Sequence, residues 1–140
     1  MEQKDFLMRE IEKLLQLLKS LISKVSGLNS VNFEIGIKQV NDNLITQFDL
    51  SLDKLISIKK LELIKIIKNV DKVNIELLIE LLSEIIYKIE KLERNSEYDI
   101  NELGMKVIIL IDYLDSETKT LSIERMIIKM KLQNWILKDE

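Results

Sequence analysis

The apolar run near the start of this chain constrains its fold most. Leu7, Ile11, Leu14, Leu18, Leu21 and Val25 follow one another at alternating steps of four and three. That spacing lines up one face of an α-helix and cannot line up one face of a strand. Leu15, Leu17 and Ile22 lie beside the seam and are apolar too. With Ile11, Leu18 and Val25 at heptad position a, Leu15 and Ile22 fall at e and Leu17 at g. A two-stranded coiled coil wants charges at e and g. So wide an apolar surface suits a helix packed against two or more neighbours in a bundle. Ile75, Leu78, Leu82, Ile85, Ile89 and Leu92 repeat the pattern, with Ile79, Leu81 and Ile86 as the excess.

The rest of the chain reads the same way. The expected fold is all-α: a single domain over residues 1–140, a bundle or array of six to seven helices. Helix 1 covers Gln3 to Ser26 and stops at Gly27, which suits the left-handed residue past a helix end. Helix 2 covers Asn32 to Phe48. Around "FDLSLDKLISIKK" a short helix opens at Ser51; the alternation of Leu50 and Leu52, then Ile56 and Ile58, has no partner strand. Helix 4 covers Lys60 to Asn69. Asn74 is the expected N-cap of helix 5. Asp99-Ile-Asn-Glu102 has the spacing of a capping box and opens helix 6, with Ile100, Leu103, Val107, Leu110 and Leu114 as its seam. Helix 7 starts near Ser122 and carries Ile123, Ile127 and Met130 beside Ile128, Leu132 and Trp135. Gly36 and Gly104 fall inside helices, where each costs about 1 kcal/mol relative to Ala. They read as places where two helix backbones come close.

Composition excludes several chemistries. Among 140 residues there is no His, Cys, Ala or Pro. The commonest nucleophile–base pairs and zinc sites therefore cannot be built, nor can disulfides. A net charge of −3 gives no electrostatic case for nucleic acid or an anionic membrane. The longest fully apolar runs, such as Val107 to Ile111, fall far short of the roughly 20 residues needed to span a bilayer. The charged first turns carry no signal-peptide core, so a cytoplasmic location is expected.

The remaining polar clusters read as structural. Glu76, Glu80 and Glu84 share a face at i, i+4 and i+8. A di-iron bundle would add Glu-x-x-His pairs, so the stripe reads as solvated. Asp49-x-Ser51-x-Asp53 starts like a calcium loop but has Lys54 and Lys60 where Gly and Glu are needed. Asp112 and Asp115 sit near the end of helix 6, where carboxylates oppose the dipole, and are expected to pair with cations. Lys65, Lys68 and Lys72 lack the interleaved Arg and aromatics of an RNA surface. Tyr113 and Trp135 fall at core or core-edge spacing. No cofactor or metal is expected.

The segments "NIELLIELLSEI" (Asn74 to Ile85) and "VIILIDYLDSETKTLSIERMIIKMKL" (Val107 to Leu132) resemble a family of small uncharacterised bacterial all-helical proteins. In that family a helical hairpin resembling a tetratricopeptide unit is followed by a Thr-aromatic-Ser-aromatic-Glu-Arg turn into the last helix. Thr120, Ser122, Glu124 and Arg125 match that turn; Leu121 and Ile123 stand where aromatics are usual. The opening "MEQKDFLMREIEKL" and the middle "FDLSLDKLIS" are similar to the family as well. The resemblance implies a fold with a tetratricopeptide-like C-terminal half, and no activity.

Apolar surface is abundant in this chain and catalytic side chains are scarce. The expected function is a non-catalytic protein-interaction or scaffold role, presenting an apolar helical surface to a protein partner. The alternative is a small-molecule binder or enzyme using carboxylates or Lys in a bundle cavity. Leu14 and Leu18 should be core, with Leu15, Leu17 and Ile22 as the candidate interaction surface. The chain is then a monomer enclosing its longest helix, or a homodimer through helix 1. The turn at Thr120, Ser122, Glu124 and Arg125 should be structural, with Ser122 or Thr120 capping helix 7. Arg125 lies in a first turn, where the dipole disfavours a cation, so an acid should be near: Asp115 or Glu117 at the preceding helix end, with Glu124 also local.

Overall fold

The computed structural model of the protein describes residues 2–95 and 97–138. Those residues form seven α-helices and no strand. They are α1 (Glu2–Ser26), α2 (Phe33–Phe48), α3 (Leu52–Ser57), α4 (Lys60–Ile67), α5 (Lys72–Lys91), α6 (Ile100–Thr118) and α7 (Ile123–Lys138). No described helix is long and apolar enough to cross a membrane.

Helix α5 is the axis of the structure, and its width of apolar surface is used. Leu78, Ile79, Leu81, Leu82, Ile85 and Ile86 are all buried. Two contacts fix how α1 lies on it. Asn74 Nδ2 donates to the Ile11 carbonyl at 3.2 Å, and Lys88 Nζ donates to the Ser26 carbonyl at 2.9 Å. Both helices advance together between these contacts, so α1 and α5 run parallel. Helix α6 turns back along α5: Lys72 Nζ, at the start of α5, reaches the Glu117 carbonyl at the end of α6. Helix α7 turns back again, with Lys129 on Asp112 (2.7 Å) and Leu132 against Gly104. Thus α1, α5 and α7 point one way and α6 the other. Helices α3 and α4 pack on α6, and α2 packs on α1.

Several expectations change in three dimensions. The seam of α1 enters the core only from its middle. Leu18, Leu21 and Val25 are buried and Leu14 is half-buried, but Leu7 is 60% exposed. The start of α5 lies opposite Ile11, so the first turns of α1 have no neighbour there to bury them. Helix α5 starts two residues before Asn74. Its cap is Asp71, which accepts from the Val73 amide at 3.0 Å. Asn74 is buried instead against α1, with Oδ1 unpartnered.

Gly27 does not take the left-handed conformation; no glycine does. The left-handed residues at helix ends are Asp49 and Lys119, both at φ 56°, and Glu93 just past α5, at φ 58°. Nor do the helical glycines serve backbone contacts. Gly36 makes room for the side chain of buried Leu28. Gly104 faces the side chains of Leu132 and Ile136, at distances where a Cβ would make ordinary contact.

Local capping elsewhere follows the sequence. Ser51 accepts from the Lys54 amide and Asp99 from the Glu102 amide, at 3.0 and 3.1 Å. Asn32 caps α2 without a side-chain bond, and its Oδ1 accepts from the Asn29 amide instead. Two buried lysines cap distant helix ends. Lys88 holds the end of α1, and Lys106 Nζ donates to the Leu55 and Ile56 carbonyls of α3 at 3.2 and 3.0 Å. A cation among the orphan carbonyls of a helix end is favoured by both hydrogen bonding and the dipole.

Candidate functional site

The turn into α7 is built around Arg125, which is 4% exposed. Ser122 Oγ accepts from the Arg125 amide at 3.3 Å and so caps α7. Arg125 Nε donates to Asp115 Oδ1 at 2.7 Å, Nη2 to the Thr120 carbonyl at 3.1 Å, and Nη1 to Glu76 Oε1. One guanidinium thereby ties α5, α6 and the α6–α7 turn together. Two carboxylates and a carbonyl offset the unfavourable field of the helix start. Thr120 Oγ1 bonds Thr118 Oγ1 at 3.1 Å. Glu124 accepts from the Ser122 hydroxyl at 2.8 Å. Its own backbone N–H, then that hydroxyl, hold the Glu124 carboxyl below its ordinary value.

The pairing of Arg125 with Glu76 corrects the view of the acidic stripe as wholly solvated. Glu76 is half-buried at the ion pair, while Glu80 is exposed. Asp112 and Asp115 pair with Lys129 and Arg125, both supplied by α7. Glu117 contributes its carbonyl to Lys72.

Arg125 fixes the start of α7 beside the start of α5, and the two helices run on with a groove between them. Its upper part, about 480 Å³, is lined by Ile79, Ser122, Glu124, Ile127 and Ile128 beside Glu76 and Arg125. Its lower part, about 740 Å³, has Tyr87, Ile128, Leu132 and Trp135 as apolar walls, with Glu84, Ser83 and Lys131 between them. Glu80 and Ile128 belong to both parts, so the groove is continuous. Four carboxylates (Glu76, Glu80, Glu84, Glu124) face two cations (Arg125, Lys131), and Arg125 is already committed to Glu76 and Asp115. The groove is apolar in its walls and anionic in its field.

The shoulder of α1 is placed differently. Leu15, Leu17 and Ile22 are each half-buried. Leu17 and Ile22 pack against the core. Helical period puts Leu15 and Ile22 on one flank and Leu17 on the other, so they do not form one patch. Ile22 lines a recess with Lys19, Ser23, Leu77 and Glu80, on the α1 side of Glu80.

Tyr87 and Trp135 are the groove residues that sequence reading did not bring together. The sole signal was a tryptophan at the core edge. Among the described residues no three acidic side chains gather as a metal site. No protein-family model, curated protein or solved structure matches the chain.

Proposed function

We propose that the chain is a non-catalytic protein-interaction module that holds a helical segment of a partner protein in the groove between α5 and α7. The single observation that carries this reading is the groove itself: Tyr87 and Trp135 with aliphatic walls, under carboxylates of α5. An amphipathic helix laying its apolar face into such a groove is a recurring mode of peptide recognition. Aromatic side chains in partly buried positions are frequent anchors of such contacts. The anionic field selects a partner helix with Lys or Arg flanking its apolar stripe. Along α5 the groove runs from Glu76 to Tyr87, about 16 Å at 1.5 Å per residue. That length suits three turns of a bound helix.

The antiparallel α5–α6 pair, followed by α7 parallel to α5, supports a tetratricopeptide-like C-terminal half. A scaffold role in the cytoplasm of a bacterium is the setting this reading implies.

Trp135 is the sole tryptophan, so its fluorescence reports on the groove directly. A synthetic amphipathic helix with Leu at i, i+3, i+4 and i+7 and flanking Lys should shift its emission saturably. Combined Glu80→Lys and Glu84→Lys substitution should weaken binding at least tenfold. An unshifted spectrum, or equal binding by the variant, would refute the reading.

A further inference from the structure

Helix α7 carries a second apolar face that the other described residues leave uncovered. Ile123, Ile127 and Met130 follow steps of four and three, with Met126 beside them. Ile123 is 71% exposed and Met130 56% exposed. On the opposite face Arg125 and Leu132 are buried against the body of the protein. A helix with one face already packed needs no second apolar stripe for its own fold, and an uncovered one invites association.

We propose that this stripe pairs two copies of the chain, α7 against α7 in antiparallel orientation about a two-fold axis. The proposal concerns another occupant than the groove, on the outer edge of α7, where Glu124, Ile127 and Lys131 border both surfaces. Charge selects both the occupant and the direction. With Ile127 at heptad position a and Ile123 and Met130 at d, Glu124 and Lys131 both fall at e, one heptad apart. Both are exposed, and neither makes an ion pair among the described residues. Charges at such flanks set partner choice and orientation. Two antiparallel helices bring e against e. Seating Ile127 beside the partner's Met130 then sets Glu124 beside the partner's Lys131, and the two-fold axis makes that pair twice.

The alternatives lose these pairs. Parallel helices place e against g, and the g positions here are Met126 and Gln133, which carry no charge. An antiparallel pair slipped by one heptad sets Glu124 against the partner's Glu124. A second copy in this one register therefore pairs Ile127 with Met130 and both charged flanks, with Ile123 facing the partner's Asn134. A C2 contact of this kind is self-complementary by construction.

Sedimentation equilibrium on the full chain through the micromolar range tests the proposal. The wild type should rise with concentration toward twice the protomer mass. Glu124→Lys and Lys131→Glu, each checked for helix content by circular dichroism, should each weaken association at least tenfold. The double variant should regain it. An equimolar mixture of the two single variants should form a heterodimer, because every facing pair is then complementary. A wild type monomeric throughout would overturn the proposal, as would a dimer indifferent to both single changes. Single variants that weaken without recovery in the double variant would overturn the antiparallel register.

Discussion

Arg125 shows how far a single residue can be read from sequence. Its position in a first turn demands an acid, and Asp115 stands only ten residues away across one turn, so that partner was legible. Glu76 lies 49 residues away and pairs only because α7 returns alongside α5, which no local pattern announces. Arg125→Met should leave two partly exposed carboxylates facing each other without a cation. We expect a loss of about 2–3 kcal/mol in urea unfolding, the lower part of the range for broken buried pairs. A loss under 0.5 kcal/mol, the scale of an ordinary surface change, would show that the clamp is idle. The two helical glycines should part company. Gly104→Ala places its Cβ in ordinary contact with Leu132 and Ile136 and should raise stability by up to about 1 kcal/mol through helix propensity. Gly36→Ala should lower stability, because buried Leu28 would have to move. Gly104→Leu should cost about 1–3 kcal/mol by overpacking. Thermal unfolding of the three variants checks the order.

At the scale of the helix, some caps that act within three residues are legible and others are not. Ser51 and Asp99 are read directly from spacing, and Ser122 is one of two candidates with Thr120. Asp71 was missed in favour of Asn74, because both residue types suit a cap and only the packing of α1 decides which is buried. The lysine caps were not legible at all: Lys88 acts 62 residues away and Lys106 about 50. Helix α3 has six residues, too few to be stable alone, and it depends on this support. Lys106→Met should therefore speed amide exchange in α3, at Leu55 and Ile58, by roughly tenfold or more, the worth of a hydrogen bond from a charged donor. Exchange in α5 should change far less. Equal acceleration in both helices would mean that Lys106 stabilises the whole fold rather than the end of α3.

For the whole molecule, periodicity disclosed the helices and the buried faces of α5 and α6, since both depend on neighbours in sequence. It did not disclose that α1, α5 and α7 run parallel, which rests on contacts between distant segments. The groove has the same origin. Glu80, Glu84 and Tyr87 are the outward residues of α5 and look like a solvated stripe until α7 lies beside them. Leu15 and Ile22 fall on one flank of α1 and Leu17 on the other, a division that their e and g positions already imply. The location of binding is therefore the point on which the functional reading turns. Amide NMR of the labelled protein, titrated with the Leu- and Lys-bearing amphipathic helix, tests it most directly. The expected shifts cluster at Ser83, Tyr87, Ile128 and Lys131 and at the Trp135 indole N–H. Shifts confined to Lys19, Ile22 and Ser23 on α1, or no shifts at saturating peptide, would contradict it.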